Sequence, residues 1–223
     1  MLRLKVFGSA NIGLYFKSTN KFFIYHANII KRKINLVHEE LKVTPIPVYL
    51  VDTLITSPFI VANRNGVIVT SLFEPYALDD LANKLKELDV NFTVVDVKYT
   101  ALGNIILVND RGAISSPILP KSIRKIVSDV LDVEVVSSTI GRFSYVGSLA
   151  AVNNKFGISS PSIKKDEKQL IEDVLKIKLY ESTVNNGVEL VSLGVVLNDN
   201  GIVVGEDSSG KELMLLSAVF ESL

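Results

Sequence analysis

A pattern of strand, turn, strand, helix and strand recurs about every 44 residues, and this repeat constrains the fold more than any other feature. The clearest copy spans residues 102–145, where an Asn-Asp-Arg-Gly turn separates two apolar runs and a helical pattern precedes a third run. One period later, Ser115-Ser116-Pro117 becomes Ser159-Ser160-Pro161. Periods of this length are typical of repeat folds, so the chain is expected to consist of similar modules.

Five modules can be placed, at about residues 11–55, 56–100, 101–144, 145–188 and 189–223. In the first, apolar spacing predicts a helix over 31–41, and the strand after Pro45 and Pro47 is expected at 48–51. The last module is irregular, because Glu206 to Gly210 is too short and too rich in Gly and Ser for a full helix before the apolar run 213–220.

The predicted fold class is α/β: five small sheets around a central axis, with helices outside. One module cannot bury both faces of its sheet, whereas five arranged in a ring can, and closing the ring removes free sheet edges. The N-terminal strand, residues 1–7, has no helix of its own and is expected to pair with the last module. We therefore expect a single domain over residues 1–223.

Composition excludes several classes of chemistry. The chain has no cysteine, which excludes a disulfide framework, a thiolate metal site and a cysteine nucleophile. The longest apolar run, 213–220, is too short to span a membrane, and no signal peptide is expected at the start. These features fit a cytoplasmic protein.

Charge is balanced overall but unevenly distributed. Residues 1–50 contain eight Lys or Arg and two Glu, a net charge of +6, whereas residues 201–223 contain one Lys and four acids, a net charge of −3. The densest basic cluster, Lys31-Arg32-Lys33, could approach phosphate. Solvated charges at the start of a surface helix are the favoured explanation.

An asparagine recurs at the first position of successive turns: Asn63, Asn109, Asn153 and Asn198, with Thr19 in the first module. These amides could form a ring aimed at a ligand, but turn geometry is the favoured explanation because Asn suits tight hairpins. The neighbouring Arg64 and Arg111 are better binding candidates, since a guanidinium gains little from the turn itself.

A small residue precedes every first strand: Gly13, Ser57, Gly103, Gly147 and Ser192. Crowding where the strands converge on the axis explains this pattern. An end of the ring left open for a partner explains it too.

Signals of catalysis are missing from the sequence. His26 and His38 are the only histidines, and no nucleophile elbow, phosphate loop or zinc-protease motif occurs. We assign no catalytic residue, no cofactor and no metal ligand.

Several segments, in order along nearly the whole chain, resemble the archaeal translation initiation factor 6 family of ribosome anti-association factors. They are Asn11-Ile12-Gly13, Ala101 to Asn104, Asn109 to Ala113, Ser116-Pro117, Asp129 to Val135, Val146-Gly147-Ser148, Thr183 to Gly187 and the tail 212–220. The resemblance implies a five-bladed pentein fold, which agrees with the repeat count.

The resemblance also implies binding to the intersubunit face of the large ribosomal subunit, through a ribosomal protein and an rRNA loop, which blocks the small subunit. It implies neither a membrane nor a small-molecule substrate, and we expect a monomer. The family's binding loops correspond here to Pro58, Asn104, Val146, Gly147 and Leu190, with Asn63 and Arg64 from a turn. Family members commonly have arginine where this chain has Pro58.

Two other functions remain open on sequence grounds. One is an enzyme that uses carboxylates on a small polar ligand in the central channel, and the other is a scaffold for an unrelated partner. Guanidine-modifying enzymes of the pentein fold need a cysteine nucleophile, which this chain lacks.

Overall fold

The computed structural model describes residues 1–50 and 52–221. Each of five sheets contains an antiparallel hairpin. The hairpins are β2 Phe16–Ser18 with β3 Phe22–His26, β5 Ile60–Ala62 with β6 Gly66–Thr70, β8 Ile106–Val108 with β9 Gly112–Ser115, β11 Ala150–Val152 with β12 Phe156–Ser159, and β14 Val195–Leu197 with β15 Ile202–Gly205. The strand sequences are rich in Val, Ile and Phe, which favour half-buried extended backbone.

A third strand pairs in parallel with the second strand of every hairpin. In four sheets it follows in sequence: β4 Thr44–Val48, β7 Asn91–Val95, β10 Glu134–Ser137 and β13 Lys178–Glu181. In the fifth sheet the N-terminal strand β1, Leu2–Leu4, takes this place beside β15, with Leu2 opposite Val203. The pairing is the one expected from the sequence.

Long helices follow the second strands: α1 Lys31–Leu41, α2 Pro75–Glu87, α4 Lys121–Leu131, α6 Lys165–Leu175 and α8 Gly210–Glu221. Short helical turns precede the first strands: the 3-10 turns η1 Ile12–Leu14 and η2 Ser57–Phe59, and the one-turn helices α3 Leu102–Ile105, α5 Val146–Leu149 and α7 Val191–Gly194. The apolar face of each long helix packs on its own sheet and also on the sheet of the preceding module. Modules are thereby joined through shared cores.

The five modules close into a ring. The short turns contact one another in the cycle η1, η2, α3, α5, α7 and back to η1, and the first strands form the same cycle. The arrangement is a five-fold pseudosymmetric, pentein-like fold of separate three-stranded sheets. The first strands face the axis and the long helices lie outside.

Two local predictions are wrong. The strand expected at 48–51 is β4, which contains both prolines; Val51 lies outside the described residues. The backbone N–H of Thr44 donates to the carbonyl oxygen of Lys21, and the carbonyl oxygen of Val48 accepts from the N–H of Ala27. The backbone of the even-numbered residues of β4 therefore bonds to β3, and the nitrogens of both prolines point away from β3.

The fifth module does contain a full helix. The apolar run itself forms α8, and its start is fixed by reciprocal bonds between Ser209 and Glu212. Ser-x-x-Glu is a capping-box signal, and it could have been recognised from the sequence.

Candidate functional site

Strand directions define two different ends of the ring. First strands run from the short helical turns to the hairpin turns, while second and third strands run back. Loops after the second and third strands therefore lie with the short turns, at what we call the helical-turn end. The hairpin turns and the C-termini of the long helices lie at the opposite, hairpin end.

The sequence-predicted residues fall at both ends and do not form one site. Pro58, Asn104, Val146, Gly147 and Leu190 lie in or beside the short turns, at the helical-turn end. The other three, Asn63, Arg64 and Arg111, lie in the hairpin turns. A three-residue first strand, about 10 Å long, separates the groups.

Within the first group, only some side chains can reach a partner. Pro58, Asn104 and Leu190 are half-buried. Val146 is fully buried in an apolar core, and Gly147 has no free space around it. Val146 and Gly147 thus support the surface that the other three expose.

Crowding explains the small residues before the first strands. A Cβ on Gly147 would lie 2.2 Å from the carbonyl oxygen of Gly103, and one on Gly103 would lie 2.6 Å from that of Ser57. A Cβ on Gly13 would lie 1.7 Å from the carbonyl oxygen of Ser192. Backbones of successive modules meet here, so at the three glycine positions not even a methyl group fits.

The asparagines of the hairpin turns serve the fold. Asn63 is 2% exposed; its Oδ1 accepts from the backbone N–H groups of Asn65 and Gly66, and its Nδ2 donates to the carbonyl oxygens of Asn109 and Leu131. Asn109, Asn153 and Asn198 repeat the link to the next turn, and Asn198 reaches Thr19. Each amide thus fixes its own turn and holds the neighbouring module, as the turn-geometry explanation requires.

Arg64 and Arg111 are exposed at the hairpin end. The Arg111 guanidinium donates to the carbonyl oxygen of Lys176 at 2.9 Å. Arg64 uses its backbone N–H to reach Asp110 at 2.8 Å, which leaves its guanidinium in solvent. Both arginines are available for binding, but on the face away from the first group.

An axial cavity of about 80 Å³ extends from the small residues toward the asparagines. Most of the residues that line it are apolar, and the charged residue among them is Lys17 on β2. Among the lining residues that the structure describes, none is acidic. Asp110 borders a smaller space at the hairpin end, and the side-chain amides of Asn20 and Asn154 donate to both Asp110 and Asp199. The cavity therefore lacks the carboxylates that the enzyme alternative requires.

Sequence reasoning missed an apolar rim at the helical-turn end. Ten of the fourteen exposed large hydrophobic residues in the described part of the chain lie there, and the hairpin turns carry none: Phe7, Ile30, Tyr49, Leu54, Leu72, Tyr76, Tyr99, Ile118, Phe143 and Tyr145. Phe143 stacks on Tyr145 at 5.1 Å between ring centroids. Large exposed apolar patches mark interaction surfaces in soluble proteins.

One sequence signal of this rim exists. Phe7 adopts a φ of 51° beside Gly8 at 79°, and bulky residues rarely adopt a positive φ. An aromatic residue directly before a glycine, Phe7-Gly8, is thus a clue to the rim.

Cations accompany the apolar rim. Lys31, Arg32 and Lys33 form the first turn of α1 without any acidic residue, and Lys121 opens α4 in the same way. Positive charge is unfavourable at a helix N-terminus, by about 0.3–1 kcal/mol per residue. An anionic partner facing this end would offset that cost.

The described residues offer neither a membrane-spanning helix nor a metal-binding cluster. No helix there is long and apolar enough to cross a membrane. No group of three or more His, Cys, Asp and Glu side chains is placed there to hold a metal ion.

Comparisons with known proteins identify the family. The model of the eIF-6 family matches residues 1–219. Translation initiation factor 6 of Nitrosopumilus maritimus is 38% identical over 220 residues, covering 99% of this chain and 98% of that protein. The protein of the same name from Pyrobaculum arsenaticum is 32% identical over 216 residues, covering 97% and 96%. The chain therefore belongs to the eIF-6 family.

Proposed function

We propose that this protein binds the large ribosomal subunit through its helical-turn end and thereby prevents association with the small subunit. The observation that carries the proposal is the coincidence, at one end, of the apolar rim and of basic residues at helix N-termini. Aromatic residues with Arg and Lys suit both a ribosomal protein and the phosphates and bases of an rRNA loop. Membership of a translation-factor family supports this choice of partner.

The mechanism is steric occlusion, with no bond made or broken. A compact chain of this length has a radius of gyration of roughly 17 Å, so it covers a patch roughly 40 Å across. The small residues before the first strands and the asparagines of the hairpin turns form two inner rings, one at each end. Together with the shared cores, these inner rings make the body rigid. A rigid body seated on the intersubunit face excludes whatever must dock there.

The predicted site residues have separate places in this proposal. Pro58, Asn104 and Leu190 contact the subunit, while Val146 and Gly147 hold the turns that present them. Proline at 58 removes the ion pair that an arginine could make. The protein acts in the cytoplasm as a monomeric single domain with the five modules bounded as above.

Sedimentation with purified large subunits tests the proposal directly. The protein is expected to pellet with large but not small subunits, and excess protein is expected to suppress formation of joined ribosomes. Affinity should fall with salt, but less steeply than for a wholly basic DNA-binding protein. Failure to pellet, with subunit joining unchanged, would leave the unrelated-partner scaffold as the better explanation.

A further inference from the structure

Lys17 is a cation in an unusual place. It is the middle residue of β2, opposite Ile24, and its side chain borders the axial cavity. At the equivalent position the other first strands have Val61, Leu107, Ala151 and Val196. One module of five thus places an ammonium group where the others place an apolar side chain.

The cavity also presents backbone polar groups. Each hairpin closes with the turn residue's N–H donating to the second strand, as Asn63 does to Gly66 and Asn109 to Gly112. Hydrogen-bonded and non-bonded positions alternate in an antiparallel pair, so the residue before each turn residue points its N–H and C=O away from the partner strand. These residues include Ser18, Val108 and Val152, which all line the cavity.

No compensating negative charge accompanies Lys17. Within the described part of the chain, its ammonium makes no ion pair and no side-chain hydrogen bond, and the lining residues include no acid. Asp110 and Asp199 lie beyond Ser18, where the amides of Asn20 and Asn154 bind them. Desolvation lowers the pKa of Lys17 to about 8. A carboxylate nearby would act in the opposite direction.

We propose that the axial cavity is a binding site for a small monovalent anion, with the Lys17 ammonium as its counter-charge. The anion lies on the helical-turn side of Ser18, between Lys17 and the hydroxyls of Ser57 and Ser192, and strand N–H groups complete its shell. A cavity of about 80 Å³ holds an ion of chloride size with one or two waters, since a water occupies about 30 Å³. The site does not depend on ribosome binding.

Titration of Lys17 in two salts tests the site in solution. The full-length protein, labelled at lysine side chains for NMR, is titrated in potassium chloride and in potassium gluconate, whose anion is too large for the cavity. An anion that binds only the protonated form of Lys17 raises the pKa of this lysine. At a chloride concentration ten times the dissociation constant of that complex, the pKa is expected to rise by about 1, a tenfold change in the protonation equilibrium. The Lys21 signal reports the general effect of salt. Equal Lys17 titration in both salts overturns the proposal.

Crystals grown or soaked in bromide locate the anion. An anomalous peak against Nζ of Lys17 is expected, and it should be absent in Lys17→Met crystals. Bromide peaks at surface sites without one at Lys17 overturn the proposal. A peak at Lys17 without a chloride-dependent rise of its pKa in solution also overturns it, because it shows an adventitious ion only. If the variant does not fold, the two-salt titration of the unsubstituted protein still decides.

Discussion

The two ends of the ring use their exposed and buried side chains in opposite ways. At the hairpin end, the turn asparagines and their neighbours bond to one another and to the C-termini of the long helices. The hydrogen-bonding groups of these asparagines are therefore used within the fold. At the helical-turn end, the inner ring of small residues is packed, while the outer loops leave apolar and basic side chains in solvent. The inner rings therefore close the structure, whereas the outer rim at the helical-turn end offers side chains to a partner.

The inner ring at the helical-turn end gives the largest expected effect. Gly147→Ala places a methyl group 2.2 Å from the Gly103 carbonyl oxygen, and neither backbone can move without opening the ring. We expect the free energy of unfolding to fall by about 3 kcal/mol, measured by denaturant titration. Gly210→Ala, which meets nothing within 4 Å, is the control. Equal stability of the two variants would mean that this ring is not tightly packed.

The inner ring at the hairpin end should be nearly as sensitive. Asn109→Ala removes the amide that donates to Asn153 and Leu175 and that accepts from two backbone N–H groups. We expect a loss of about 2 to 3 kcal/mol in the free energy of unfolding, because buried partners lose their bonds. Asn91→Ala, which removes a single exposed bond, serves as reference and should cost far less.

The outer surfaces can be compared through their cations. Replacing Lys31, Arg32 and Lys33 with Gln should weaken binding to large subunits on the order of 30-fold, or about 2 kcal/mol, if they meet phosphates. The matched variant replaces Arg64, Arg111 and Lys155, at the hairpin end, with Gln. Quantitative sedimentation measures both. If the hairpin-end variant lost more affinity, the hairpin end would be the binding end. If neither variant lost affinity, both clusters would be ordinary solvated surface charges.

The smallest effect concerns a loop at the helical-turn end. Burial alone would raise the pKa of Glu212, but donors from Thr183, Ser209 and the 186–187 backbone lower it to about 2. Because the folded-state pKa is depressed, the carboxylate stabilises the fold above pH about 4.5, and this contribution is lost as pH falls toward 2.

Glu212→Gln should therefore cost about 1 kcal/mol at pH 7, with the difference from the unsubstituted protein shrinking between pH 4.5 and 2. Thermal unfolding across this range measures it. Glu221→Gln, at an exposed position on the same helix, is the control. A difference that does not change with pH would show that the carboxylate charge is not what holds the loop.

Local patterns predicted the modules well. Helix α1 has the predicted bounds, because its apolar spacing and the following Pro45 both act within a few residues. The third strand of the first sheet begins earlier than predicted, because proline normally interrupts a strand. Pro45 and Pro47 are accommodated because β4 lies at the edge of its sheet.

The surface was harder to predict, because it depends on contacts between modules. Asn63 and Pro58 are five positions apart, yet they lie at opposite ends of a strand that traverses the ring. Whether Phe143 is exposed or buried depends on loops distant in sequence, so the residues next to it in the chain do not predict its exposure. The place of Lys17 on the axis follows only from the closed cycle of first strands, which no local sequence pattern reveals.

The pairing of β1 with β15 has a consequence for the order of folding. Leu2 and Val203 are partners separated by nearly the whole length of the chain, so the closing contact carries the largest loop-closure entropy in the molecule. Sheets whose strands are close in sequence can form early, whereas the first strand made must wait for the last sheet. During synthesis, Leu2–Leu4 therefore remains without its strand partner until β15 has emerged, so the ring closes only after nearly the whole chain has been made.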